Sequence, residues 1–161
     1  MSTALLHLLL LIMVANGVPV VMRYLLGRRL DYPLDMGKKF IDGKRILGPA
    51  KTWRGLFFSI LFTTLAAIFL GVDAIIGATI AFYAMLGDLF SSFIKRRFGM
   101  RSSSMAPLLD QVPESFIPAY FMMSTFALGS KDIVFLVVAF IILELLLSKI
   151  LYKLGIRRTP Y

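Results

Sequence analysis

Asp88, Ser91, Ser92 and Lys95 stand at i, i+3, i+4 and i+7 in the run Leu86-Gly-Asp-Leu-Phe-Ser-Ser-Phe-Ile-Lys-Arg-Arg97. On a helix that spacing aligns a carboxylate, two hydroxyls and an ammonium along one stripe. A carboxylate at the edge of an apolar segment is costly unless it is paired or bound to a cation. Lys95 offers a structural pairing on the same stripe. Asp110 and Glu114, in Pro107-Leu-Leu-Asp-Gln-Val-Pro-Glu114, offer the other solution. Hard cations such as magnesium take oxygen ligands, usually one or two carboxylates with phosphate oxygens. Asp88 and Asp110, on two facing helix ends, are the candidate ligands.

A second polar stretch runs from Asp35 to Gly55, with glycines at 37, 43, 48 and 55 among lysines and arginines. Glycine permits tight turns and close backbone approach, and the cationic side chains supply donors. That combination suits a phosphate-rich ligand, and it equally describes an ordinary flexible loop. It is not a P-loop: Pro49-Ala50 separates Gly48 from Lys51-Thr52, and no strand precedes it.

The elements that must position these residues are membrane helices. Hydrophobic residues make up 58% of the 161-residue chain and charged residues 17%, too apolar a balance for water alone to solvate. Five apolar segments are expected to span, at 4–24, 55–70, 74–90, 113–128 and 133–152, within one domain covering 1–161. Backbone polar groups in lipid need internal partners, so the segments are read as helices and the class as an all-α integral membrane protein. Five crossings put the basic loop 23–54, Lys95–Arg101 and the C-terminal Lys149–Arg158 on one side and only Lys131 on the other. That asymmetry predicts an outside N-terminus, a cytoplasmic C-terminus and two cytoplasmic loops forming a polar site. The basic face is otherwise explained by topology and anionic headgroups, with no nucleic-acid partner expected. The first segment lacks a basic n-region and a clear cleavage site, so it is expected to be retained.

Other residues narrow the chemistry. Cysteine is absent and His7 is the sole histidine, which excludes thiolate chemistry and disfavours a histidine site. Glu144, inside the fifth segment, is either functional or part of a buried polar contact. Asn16 is likewise either functional or a simple interhelical hydrogen bonder.

Taken in order, Gly48-Pro-Ala-Lys-Thr-Trp-Arg-Gly55, Gly87-Asp-Leu-Phe-Ser-Ser-Phe-Ile-Lys-Arg96 and Pro107-Leu-Leu-Asp-Gln111 resemble the membrane cytidylyltransferases that make CDP-activated lipids. Asn16-Gly-Val-Pro-Val20 and Asp35-Met-Gly-Lys-Lys-Phe-Ile-Asp-Gly43 are most similar to their short archaeal branch, the CDP-archaeol synthases. The resemblance covers nearly the whole chain. It implies transfer of CMP from CTP to 2,3-bis-O-(geranylgeranyl)glycerol 1-phosphate, giving unsaturated CDP-archaeol and pyrophosphate in archaeal phospholipid synthesis. It also implies a cell-membrane location with the site facing the cytoplasm, and magnesium held by Asp88 and Asp110. Asp88, Asp110 and Lys95 become the catalytic candidates. Lys38, Lys39, Asp42, Lys51, Thr52, Ser91, Lys95 and Arg96 become the candidate contacts to CTP and phosphate.

The chain departs from the larger bacterial relatives in three places. Ser103-Ser-Met-Ala-Pro107 replaces a His-Gly-Gly stretch, Asp110-Gln-Val-Pro113 replaces Asp-Arg-x-Asp, and Arg54 stands where they carry glutamate. A CDP-alcohol phosphotransferase is disfavoured, because Asp42-Gly43 is not followed by the Asp-x3-Asp that class needs. A cytidylyltransferase for another lipid phosphate, and a non-enzymatic transporter or lipid-binding subunit, remain the alternatives.

Overall fold

The computed structural model of the protein describes residues 2–102 and 104–157; Ser103 and Arg158, cited above, lie outside them. The described residues form five helices: α1 (Thr3–Leu26), α2 (Trp53–Phe69), α3 (Ala74–Arg97), α4 (Gln111–Phe121) and α5 (Ser130–Lys153). Each boundary has a local cause. Ser2 caps α1 by accepting from Leu5 N, and Gly27, at φ 54°, ends it. Thr52 caps α2 through Gly55 N, and Asp73 caps α3 through Ile75 N. These side-chain acceptors satisfy N–H groups that have no partner within the helix.

α1, α3 and α5 are each 24 residues long and apolar enough to cross a membrane, while α2 is a 17-residue apolar helix. Large apolar side chains stay exposed along the outside, among them Phe57, Leu61, Leu65 and Phe69 on α2 and Val134, Val138, Ile142 and Leu146 on α5. A surface this apolar belongs against lipid. The packed core joins Leu5, Leu8 and Ile12 of α1 to Ala67, Ile80, Ala119, Leu136 and Phe140. α2 and α3 meet closely at Gly77, where a Cβ would lie 2.4 Å from Ala67 Cβ.

The fourth segment differs from expectation. α4 has eleven residues, about 16 Å at ~1.5 Å per residue, roughly half of a ~30 Å hydrocarbon core. The chain continues in turns rather than as helix to residue 128, and Met122 and Leu128 reach the cluster that holds Leu5 and Leu8. Ala127, at φ 49°, belongs to this irregular stretch. The Asn16 amide donates 3.1 Å to Ile12 O, one turn back in its own helix, so that bond is not an interhelical one.

Candidate active site

Construction of the site begins with Asp35, whose side chain is fully buried. Its carboxylate accepts from Gly37 N (3.0 Å), Leu47 N (3.1 Å) and Gly48 N (2.8 Å), and pairs with the Arg45 guanidinium. Burial opposes ionisation, but Arg45 and the three N–H donors outweigh it and hold this carboxyl well below the usual carboxylate range. One side chain thus ties residues 35–37 of the first loop to residues 45–48. Gly48, at φ 100°, turns the chain toward Lys51 in a conformation that L side chains rarely adopt. Arg54 fastens the same loop from α2, donating to Gly27 O (3.1 Å), to Arg29 O, and to Asp31 at 3.0 Å.

Lys51 is delivered onto α3, where its ammonium bonds both carboxylate oxygens of Asp88. Burial disfavours the charged form of Lys51. Asp88, with Glu114 and Asp110 contributing, outweighs burial and raises its pKa above the ordinary lysine value. Glu114, on α4, contributes negative charge beside Asp88 and Lys51. α4 comes this close because residue 87 is glycine: a Cβ there would lie 2.3 Å from Pro113 O and 2.8 Å from Glu114 Cα. Lys95, one helical stretch further along α3, lies 2.6 Å from Asp110 Oδ1 and donates to Ser104 O at 3.2 Å. Asp110 Oδ2 accepts from Ala106 N at 3.0 Å.

The alternative of a structural pairing between Asp88 and Lys95 is therefore not what forms. Seven residues apart on a helix, the two Cα atoms are about 10.5 Å apart along the axis, and each side chain takes a partner from another segment. The Lys51–Asp88 and Lys95–Asp110 ion pairs, with Glu114 near the first, lie where both loops converge at one end of the bundle.

The other candidates are distributed around this cluster. Lys38 and Lys39 are exposed on the first loop. Asp42 is taken up by Arg97 at 2.6 Å, and the Arg97 guanidinium lies between the rings of Phe40 and Phe93. Thr52 uses its hydroxyl to cap α2, and Ser91 is fully buried with its hydroxyl on Asp88 O of its own helix. Arg96 is buried and donates to Arg101 O at 2.8 Å. Glu144 joins a buried polar contact, accepting from Gln111 Nε2 and Ser148 Oγ, both at 3.1 Å, with Arg157 at 3.4 Å. Glu114 is the cluster member absent from the sequence-based site, although its place beside Asp110 was visible. Asp35 was visible only as part of a motif.

The donor set fits magnesium. Asp110 Oδ1 is buried and makes no hydrogen bond beyond its ion pair with Lys95, and Asp88 and Asp110 are the oxygen donors that a hard cation prefers. Among the described residues no three carboxylate or imidazole groups converge as a complete metal cage. An ion completed by phosphate oxygens needs only one or two carboxylates.

Two cavities flank the cluster. One is lined by Pro19, Arg23, Leu34, Lys51, Met85 and Asp88, among others. The other is an apolar groove between α3 and α4, formed by Tyr83, Leu86, Leu89, Phe90, Phe93, Ile117 and Phe121. Leu89 lines both.

Comparison with known proteins gives concordant results. Residues 2–161 match a family model described as CarS-like, CDP-archaeol synthase. A CDP-archaeol synthase of Hyperthermus butylicus is 42% identical over 110 residues, a match spanning 61% of this chain and 59% of that relative. One from Sulfolobus acidocaldarius is 38% identical over 136 residues, covering 80% of this chain and 83% of the relative. A solved intramembrane enzyme of archaeal membrane lipid biosynthesis superposes with a TM-score of 0.77 at 30% identity, over 88% of this chain and 90% of that one.

Proposed function

The chain belongs to the CarS-like CDP-archaeol synthase family, and on that premise we propose that it transfers CMP from CTP to an isoprenoid glycerol phosphate lipid, releasing pyrophosphate. The single observation that carries the reading is the cluster of Lys51, Asp88, Glu114, Asp110 and Lys95 beside an apolar groove. Charged groups able to handle phosphates adjoin a surface able to hold lipid chains.

The chemistry asks little of a general base. A phosphomonoester has a second pKa of about 6 and is largely a dianion near pH 7, so a site without histidine suffices. An oxygen of the lipid phosphate forms a bond to the α-phosphorus of CTP. The bond from that phosphorus to the bridging oxygen breaks, and its electron pair leaves with pyrophosphate. What the protein must supply is in-line positioning and charge neutralisation. Lys51 and Lys95 neutralise phosphate charge, exchanging their carboxylate partners for phosphoryl oxygens when substrate enters. Asp88 and Asp110 would hold magnesium, which would polarise phosphoryl oxygens and stabilise the leaving group. Glu114 adds negative charge beside Asp88. Lys38, Lys39 and Arg96 contribute positive potential to the loops around the cluster, Thr52 lines the cavity beside Lys51, Ser91 braces the α3 turn that carries Asp88, and Asp42 fixes Arg97. The groove ending at Phe121 takes an isoprenoid chain, and Leu89 is the point where chain and headgroup meet.

The charge asymmetry supports an orientation with the N-terminus outside, the C-terminus and both polar loops cytoplasmic, and the whole of 1–161 acting as one unit in the cell membrane. Five crossings then require the fourth to be completed by the turns after α4. The test is purified protein in detergent with magnesium, labelled CTP, and either the digeranylgeranylglyceryl phosphate or phosphatidic acid. CMP-labelled isoprenoid lipid with equimolar pyrophosphate is expected. Label in the phosphatidic acid product alone would reassign the substrate, and label in neither would refute transferase activity.

A further inference from the structure

Glu144 is a carboxylate inside α5, fifteen positions into a 24-residue apolar helix, and nothing in the transfer chemistry uses it. An acid in that environment is retained at a cost, so its contacts matter. One carboxylate oxygen accepts from Gln111 Nε2 at 3.1 Å. The other accepts from Ser148 at 3.1 Å and faces Arg157 at 3.4 Å, with Arg157 reaching back from the segment that follows α5. Gln111 is the neighbour of Asp110 and is almost wholly buried. Its Oε1 accepts from Leu108 N at 3.0 Å.

That last bond holds an unusual turn. Leu108 has φ 65°, a left-handed conformation that a leucine adopts only when its surroundings impose it. The same turn places Ala106 N on Asp110 Oδ2 at 3.0 Å. A glutamine amide can present either end, and its partners decide which. A carboxylate only accepts, so Glu144 forces Gln111 to turn its NH2 group toward α5 and its oxygen toward Leu108 N. The order is Arg157 and Ser148 on Glu144, Glu144 on Gln111, and Gln111 on the turn that aims Asp110.

We propose that Glu144 is a positioning residue for Asp110, acting through the Gln111 amide, with Arg157 of the C-terminal segment as its countercharge. The proposal rests on the reading of Asp110 as a metal ligand. A residue that orients a ligand alters metal affinity, typically by about 10–100-fold, whereas a residue that only fastens α5 to α4 alters stability.

Binding of Mn2+ alone, followed by electron paramagnetic resonance on purified full-length protein, separates these outcomes without turnover. Glu144→Ala is expected to weaken Mn2+ binding about tenfold or more and to speed amide exchange at Leu108. Glu144→Gln, which keeps an oxygen for Gln111, is expected to recover most of the affinity. Arg157→Ala should fall between wild type and Glu144→Ala. A Glu144→Ala protein that melts earlier yet binds Mn2+ as wild type does would overturn the positioning role and leave the site reading intact. If Asp110→Asn also binds Mn2+ normally, the metal is not at Asp110, and both claims fall together.

Discussion

Adding one methyl group at position 87 should separate the two halves of the site. In Gly87→Ala the new Cβ would start 2.3 Å from Pro113 O and 2.5 Å from Pro113 C, against an ordinary contact of 3.4 Å or more. The obstacle is backbone, so no side chain can rotate aside, and α4 must retreat from α3 by about 1.1 Å to bring the 2.3 Å contact to 3.4 Å. Overpacking of this kind costs about 1–3 kcal/mol. Alanine in place of a helical glycine returns up to about 1 kcal/mol of that through propensity. Net destabilisation should therefore be modest, between about zero and 3 kcal/mol on those figures. Activity should suffer more. Asp110 and Glu114 ride on the displaced segment while Asp88 and Lys95 stay on α3, and a misplacement of about 1 Å costs on the order of 100-fold in rate. Gly77→Ala is the matched control. It meets Ala67 Cβ at 2.4 Å but lies ten residues earlier on α3, about 15 Å from the site. Melting temperature and CTP turnover measured for both variants should show comparable loss of stability and loss of turnover only at position 87. Equal turnover in the two variants would refute the claim that close approach of α4 to Gly87 sets the catalytic geometry.

Asp35→Asn should lower stability by about 2–3 kcal/mol, because charge-assisted bonds to one guanidinium and three N–H groups weaken together. The sign with pH follows from a folded-state carboxyl held below its ordinary range: its contribution is complete above about pH 4 and is lost as pH falls through the depressed value. Thermal melts of wild type and variant should thus differ most near neutrality and converge in acid; a gap that widens in acid would contradict this. Lys51→Ala should weaken CTP binding in a direct titration and leave Asp88 without its partner, whereas unchanged affinity would move the triphosphate contact elsewhere. A cysteine introduced at Ser102 should react with an impermeant thiol reagent only after the cells are opened, and labelling of intact cells would reverse the orientation.

How far the sequence alone could be read varies from element to element. α1, α3 and α5 were visible because continuous apolar runs of helical length have one stable form in lipid. The end of α4 was hidden because Phe121-Met-Met-Ser-Thr-Phe-Ala-Leu128 is as apolar as a helix and contains neither glycine nor proline; the left-handed residue there is Ala127. Asp88 and Asp110 could be singled out as acids at the edges of apolar segments. Their partners could not. Lys51 and Asp88 are 37 residues apart, a contact that local periodicity cannot reveal, and the visible stripe pointed instead to Lys95. Asp35 carried a partial signal, since an aspartate two residues before Gly37 suits an Asx turn. Its bonds to Leu47 and Gly48 come from loop closure, which composition does not encode. Gly87 stands in the sequence only as the first residue of a motif, and local sequence does not encode that α4 packs against it.

The most direct test of the account is CTP turnover by Asp88→Asn and Asp110→Asn across a magnesium titration, with melting temperature recorded in parallel. Asparagine keeps the shape and one oxygen of each side chain but removes the charge that holds a hard cation. The account predicts folded proteins that bind lipid phosphate yet release no pyrophosphate at any magnesium concentration. Near-normal turnover at ordinary magnesium in either variant would contradict it, since that carboxylate would then be a structural partner of its lysine and no part of the reacting centre.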